Sequence, residues 1–497
     1  MYDNQSFLLQ NSSFPIIAIV GQYVSVYNNY WKLINNERYE ERDMSERLSS
    51  KVIDDHSEEL CALAKKIWDN PEMGWKERKA VEWTAEYLRA EGFDTEIGAY
   101  GMPTAIRASW GSGHPVIGFC AEYDCLPGLS QKVSPKKEPV IEGGVGHGCG
   151  HNLLGVGCLG ACIGLKAELE ASGKDGTVIF YGCPAEEQLS GKGLMAKGGA
   201  FYECDFTIAW HPSSSNSNSY AASIGVEGAF FRFHGKTAHA AGNPQNGRSA
   251  LDAVQLMNLG VEFLREHVTG DVRMHYIITD GGLAPNIVPD YAESKYFVRA
   301  ITREAVIDAF DRVVKCAEGA ALMTDTTLEI ERLGGIYPTM QNHVLVDLMQ
   351  KVREETPEIE YTEDELAFAD EINSAQPQYV KGETPPIKYE TVPVENTKGG
   401  GSTDYGDVMH ICPSVANSDC CWSALSGAHS WMATACSGHS IGMKGMIRAA
   451  KIMAAGAYDL VCSPETQKAA KEEFDNNMHG TKYVCPITDD VAWPYED

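Results

Sequence analysis

The chain is short of positive charge. Forty-one Lys and Arg stand against 69 Asp and Glu, a formal net charge of −28. A field of that sign repels nucleic acid and anionic membrane surfaces. It does not exclude an acidic small molecule, because one or two local arginines can dominate a pocket. Uninterrupted apolar runs are also short, and none approaches the ~20 residues of a spanning helix. The apolar stretch 14–20 lacks a basic flank and is too short for a signal peptide. No G-x-S-x-G string occurs, which argues against a serine hydrolase of that type. The 15 cysteines are odd in number and scattered, and no C-x-x-C pair orders them. That excludes a disulfide scaffold and disfavours a thiol redox protein. Reduced thiols and a cytoplasmic location are expected.

At 497 residues the chain exceeds the usual size of one core, so at least two domains are expected. An apolar content of 43% is ordinary and allows a large core. Residues 1–43 differ in character from the rest. They read as a peripheral extension, with Met44 as an alternative start. Amphipathic patterns predict helices over 57–70 and 76–91, the second ended by Gly92. Apolar runs at 115–121, 177–183 and 206–210 predict strands buried on both faces. A helix over 153–172, ended by Gly173, separates the first two. This order implies an α/β fold with a mostly parallel sheet. Ligands collect at the carboxyl ends of such strands. Glu122, Asp124, Glu186, Glu187 and His211 all follow predicted strand ends.

From residue 223 the pattern changes to strand 230–234, helix 249–267, strands 274–279 and 291–300, and helix 303–323. This is an inserted α+β domain. The expected division is a catalytic domain in two parts, 44–222 and 335–497, with the inserted domain at 223–334. The segment 354–371 holds nine acidic residues and no basic one, and reads as a solvated helix or loop.

The chemistry concentrates in Gly146-His-Gly-Cys-Gly-His-Asn-Leu-Leu-Gly155. A thiolate and an imidazole two residues apart, on a glycine-bounded loop, can face one point. Alone, Cys149 and His151 would read as a buried cysteine beside a structural histidine. Glu186-Glu187, His211 and His429 change that reading, because together they supply the ligands that divalent transition metals prefer. The set contains one carboxylate more than a structural site needs. One glutamate can be a ligand while the other is a general base that moves protons for a hydrolase. His239, Asn286 and Arg299 lie in the inserted domain, and spacing alone reads them equally well as surface groups and as substrate contacts.

Two strings are decoys. Gly155-Val-Gly-Cys-Leu-Gly160 matches G-x-G-x-x-G but falls inside a predicted helix rather than between strand and helix. Gly235-Lys-Thr237 resembles the end of a P-loop, but Phe230 stands where that motif requires glycine.

Between about residues 70 and 458 the chain resembles the dinuclear metallo-aminoacylase and carboxypeptidase superfamily, closest to its p-aminobenzoyl-glutamate hydrolase type. The resemblance rests on Asn70-Pro-Glu-Met-Gly, Ala121-Glu-Tyr-Asp-Cys-Leu-Pro-Gly-Leu, the Cys149 motif, Pro184-Ala-Glu-Glu, Gly235-Lys-Thr-Ala-His-Ala, Pro285-Asn-Ile-Val-Pro-Asp and Gly401-Ser-Thr-Asp-Tyr-Gly-Asp-Val. It implies a dimer of two-domain subunits, each binding two divalent metals, Mn or Zn. By motif, Cys149 (bridging), His151, Glu187, His211 and His429 would be ligands and Glu186 the general base. Asp124 would orient the Cys149/His151 loop. His239 would reach the partner subunit's site and stabilise an oxyanion, and Asn286 and Arg299 would hold substrate. One departure stands out. Relatives carry Ile-Gly-His-Lys-Gly-Met where this chain has Ile441-Gly-Met-Lys-Gly-Met, so His439 competes with His429 as the distal ligand.

The reading is therefore metal-dependent hydrolysis of N-acyl (aroyl) amino acids such as p-aminobenzoyl-glutamate. A dipeptidase acting on β-alanyl or basic dipeptides is the alternative with the same chemistry. A catalytically silent metal-binding interaction protein is the alternative of another class, and retention of both Glu186 and Glu187 speaks against it.

Overall fold

A computed structural model of the chain describes Met44 and residues 47–394 and 401–489. The extension read at 1–43 lies outside the described residues. The strands are β1 (Asp94–Ile97), β2 (Ile106–Ser112), β3 (Val116–Glu122), β4 (Gly176–Cys183), β5 (Phe206–Ser213), β6 (Ser215–Asn216), β7 (Gly225–His234), β8 (Arg273–Asp280), β9 (Tyr291–Ala300), β10 (Thr327–Ile336), β11 (Lys388–Thr391) and β12 (Ser414–Cys420).

Six of them form one sheet in the order β1-β2-β4-β3-β5-β12. The four strands from β4 to β12 run parallel, while β1 and β2 are antiparallel. Every residue of β3 is buried, as expected of a strand covered on both faces. Helix His151–Ser172 packs on this sheet and against helix Ser440–Cys462. Its glycines explain the false dinucleotide string. A Cβ on Gly157 would sit 2.7 Å from the Trp210 indole, and one on Gly155 2.6 Å from the Glu122 carbonyl oxygen. The glycine string is a close-packing stripe that draws the helix onto β3 and β5.

The same helix corrects one expectation. By length and composition it is apolar enough to cross a membrane, although no single run in it signals that. Its residues are instead buried in the core, beside Ile53, Leu60 and Ala450.

The second sheet has the order β10-β7-β9-β8, all antiparallel. Helices Ala250–Leu264 and Arg303–Thr324 cover one face, with Phe231, Phe233, Val254, Val298 and Phe310 as core. The chain then returns to the first sheet through helix His343–Glu355 and β12. The α+β unit is thus an insertion between β5 and β12.

Three differences from the sequence reading have local causes. Strand β5 runs to Ser213, so His211 lies within the strand and not beyond it, because β12 pairs with it through Ser418. Nothing in the sequence pattern signals β1, β2, β10 and β12. They are short or edge strands, or are interrupted by Gly or polar residues. The acidic segment is not simply solvated. Thr362 and Glu365 form a capping box for helix Glu363–Asn373. Glu365 is buried against Lys444 at 2.7 Å and Ser440 at 2.6 Å. Although burial opposes it, these contacts hold its pKa down at about 2.

Candidate metal centre

The strand ends of the large sheet deliver the site. Glu122 is the last residue of β3, and Asp124 follows two residues later. Gly150, at φ 79°, turns the Cys149 loop into helix His151–Ser172. A single turn, Glu186–Gln188, follows β4 and is bounded by Ala185 and Leu189, both left-handed at φ 53°. Non-glycine residues resist that conformation, so the turn must be held from outside.

Three groups hold it. The Glu77 carboxylate accepts the Ala185 N–H at 2.8 Å. Asp124 Oδ2 accepts the Glu187 N–H at 3.0 Å. The Trp75 indole N–H donates to Gln188 Oε1 at 2.9 Å. Glu77 is fully buried, and burial, with Asp124 nearby, pushes its pKa up to about 8.

The expected ligands converge. His151 donates from Nδ1 to Asp124 Oδ1 at 2.8 Å, which turns Nε2 toward the cluster. His211 donates from Nδ1 to the Pro212 carbonyl at 2.7 Å, which leaves Nε2 facing Cys149 Sγ at 3.3 Å. His429 Nε2 lies 3.3 Å from Glu187 Oε2. Two ligand trios result, Cys149–His151–His211 and Cys149–Glu187–His429, each with its ligand atoms within 4.8 Å of one another. Cys149 belongs to both. His439 is elsewhere. It caps helix Ser440–Cys462 and stacks on Phe368 with ring centroids 4.0 Å apart.

Behind His151 lies an acidic layer. Glu122 Oε2 is 3.2 Å and Glu186 Oε2 4.0 Å from His151 Nε2. Lys192, wholly buried, bridges Glu122 at 2.5 Å and Asp404 at 2.6 Å. Sequence reasoning gives no role to Lys192, Asp404 or Glu77 and places Glu122 only at a strand end. Glu122 and Asp404 do lie inside motifs that carry the family resemblance, which is the one signal that could have found them.

The electrostatics favour a bound cation. Burial raises Glu186 well above the carboxylate range, and Glu122 and Asp404 add to it. Burial likewise raises Glu187 and pushes Cys149 up to about 12. Burial lowers His211 to about 4, with His151 reinforcing it. Burial would also depress His151, but Cys149, Glu122 and Asp124 overcome it and hold that imidazole well above its ordinary value. Three acids held toward their protonated forms are groups that a divalent ion would ionise and bind. His151 Nε2 and Glu187 Oε1 are also buried without a hydrogen-bond partner. The residues present therefore fit divalent metal.

The other expected residues lie in the inserted unit. His239 and Asn286 are exposed, joined by the Ala240 N–H to Asn286 carbonyl bond of 3.0 Å. His239 Nδ1 accepts from Ala241 and Gly242, so Nε2 carries the proton. Among the described residues no hydrogen bond or ion pair joins His239 to the Cys149 cluster. Arg299, on β9, donates to Ser402 at 2.9 Å and lines a cavity of about 550 Å³ that reaches Glu187.

Residues 118–377 match the model of peptidase family M20/M25/M40. The chain is 36% identical to one of the two kinds of chain of the p-aminobenzoyl-glutamate hydrolase of Escherichia coli K12, over 86% of this chain and 95% of that protein. It is 29% identical to the Xaa-Arg dipeptidase of Mus musculus, over 87% and 93% of the two chains. In fold it is similar to a dinuclear metal-binding M20 peptidase of Bacillus subtilis, with a TM-score of 0.52 at 16% identity, covering 81% of this chain and 99% of that one. The chain belongs to peptidase family M20/M25/M40 and is a metal-dependent hydrolase of amide bonds.

Proposed function

We propose that this hydrolase cleaves N-acyl amino acids, with aroyl-glutamates such as p-aminobenzoyl-glutamate as the leading class, at a pair of Mn or Zn ions. One observation carries the reading: Cys149 belongs to both ligand trios, and the surplus carboxylate of Glu186 lies beside them. His151 and His211 would complete one ion's ligands, and Glu187 and His429 the other's. Bound there, the ions supply Lewis acidity toward the acyl oxygen and acidify the attacking water. Asp124 fixes the His151 tautomer and the Glu187 backbone together. Glu186 takes a proton from water as the new C–O bond forms, then returns it to the nitrogen as the C–N bond breaks. The products are a free carboxylic acid and an amine. Asn286 and Arg299 hold the substrate. Fifteen free thiols suit the reducing cytoplasm.

The protein works as a homodimer in this reading. His239, exposed and with Nε2 protonated, donates to the developing oxyanion in the partner subunit's site. His239→Ala is expected to lower kcat about 100-fold with metal content unchanged. Mixed dimers of His239→Ala and Glu186→Gln subunits regain activity, because one of the two sites is intact. Mixed dimers that remain inactive would refute the cross-subunit role.

The primary test is metal-stripped protein reloaded separately with Mn²⁺ and Zn²⁺. It is assayed on p-aminobenzoyl-glutamate, other N-acyl amino acids, and β-alanyl and basic dipeptides. Metal-dependent cleavage of aroyl-glutamate is expected. Cleavage of dipeptides alone would replace this reading with a dipeptidase. No turnover with two ions bound would make the chain a silent metal-binding protein.

A further inference from the structure

The cavity that begins at Glu187 is floored by the open face of the inserted sheet. Along β9, burial alternates strictly, so Lys295, Phe297 and Arg299 share the face that lines the cavity. Four cations line it, and they differ in their partners. Lys197 pairs with Asp489 at 2.6 Å, and Arg332 lies 3.5 Å from Glu227. Lys295 and Arg299 have no carboxylate partner among the described residues. Glu331, the acid that lines the cavity beside them, is taken by Arg232.

Both unpaired heads gather at one ring. Lys295 Nζ lies 5.5 Å and Arg299 Cζ 5.7 Å from the Phe297 centroid, and Lys295 also lies 5.0 Å from Phe230. Burial lowers the Arg299 pKa, the sign of a cation lacking its anion. In a chain of net charge −28, two unneutralised cations over aromatic rings in a cleft next to a metal ligand make a local site for negative charge.

We infer that Lys295 is the specificity-determining residue for a dicarboxylic substrate. Arg299 takes one carboxylate, Lys295 takes the second, and Phe297 supplies an apolar surface between them. The inference rests on the acyl-amino-acid reading above and extends it, since a monocarboxylate or a basic dipeptide leaves Lys295 without a partner. A guanidinium or ammonium side chain in this cleft would meet two like charges.

The test compares N-benzoyl-glutamate with N-benzoyl-glutamine, which keeps the shape and loses one charge. Lys295→Met keeps the methylene stem over the rings and removes the ammonium. The wild-type preference for glutamate over glutamine, as a ratio of kcat/KM, is expected to fall about 10- to 100-fold in Lys295→Met, mostly through KM. Arg299→Met is expected to weaken both substrates together and leave the ratio standing. An unchanged ratio in Lys295→Met, or an equal loss on both substrates, overturns the inference while the hydrolytic reading survives. If the wild type hydrolyses neither compound, that reading fails. Calorimetry of N-benzoyl-glutamate and N-benzoyl-glutamine on metal-loaded wild type and Lys295→Met then decides the inference. A charge preference lost in the variant upholds it, and no preference in the wild type sinks it.

Discussion

Glu186→Gln is expected to lower turnover by about 10²–10⁴-fold on any substrate the enzyme accepts, with metal content near that of the wild type. The amide has the shape of the carboxylate but cannot accept and return a proton. Glu186 is well suited to do so. Burial together with Glu122 and Asp404 raises its pKa, so it is a stronger base than an exposed glutamate once ionised. Lys192 keeps those two carboxylates from repelling it further, by pairing with both. Glu186 also stands in a third candidate ligand trio, with Glu122 and His151. Metal analysis of the purified variant therefore separates two roles. Lost turnover with retained metal marks a proton shuttle. Loss of metal along with turnover would make Glu186 a ligand and leave the base to be found elsewhere.

Glu77→Gln is expected to be more stable than the wild type at pH 8, by up to about 4 kcal/mol, with the advantage shrinking toward pH 5. The direction follows from proton counting. The buried Glu77 carboxyl titrates at about 8 in the folded chain and near the ordinary carboxylate value when unfolded. Between those two values the folded state holds a proton that the unfolded state has released. Raising the pH through that window therefore destabilises the fold, and lowering it restores stability. Glutamine is permanently neutral and can still accept the Ala185 N–H, so it removes the penalty without releasing the turn. Tm of both proteins measured from pH 5 to pH 8.5 checks this. Parallel curves would show that Glu77 is ionised in the native state. Glu77→Leu, which cannot accept the Ala185 N–H, is expected to lose activity as the left-handed turn under Glu186 relaxes.

Much of this is legible in the sequence, for identifiable reasons. The helices at Arg303–Thr324 and His151–Ser172 and the strand at Tyr291–Ala300 lie within two residues of where the pattern puts them, because each carries its own periodicity and its own stop. The Cys149 loop is legible because two ligand types at a spacing of two, between glycines, have few other uses. The edge strands β1 and β2 are not, since short or Gly-bearing segments become strands only through a neighbour. The acidic run near Glu365 misleads because charge counting sees no partner, whereas Lys444, 79 residues away, supplies one. Helix His151–Ser172 has a legible position but a hidden membrane-like apolarity. Glycine and alanine spread that apolarity over the whole helix, and no contiguous run displays it.

The sequence by itself determined the donor chemistry, the two-unit α/β architecture and the family, because ligand type, periodicity and glycine placement are local properties. Tertiary structure alone decided which histidine joins the centre. His429 and His439 sit ten residues apart, and only the fold carries one to Glu187 and the other to Phe368. It also decided that Lys192 neutralises Glu122 and Asp404, that Glu77 lies beneath the Ala185 turn, and that Lys295 is left unpaired beside Arg299. Each of these is a matter of which charges meet after residues distant in the chain are brought together. Partner and burial set a charged group's energy, and neither is written in its neighbours along the chain.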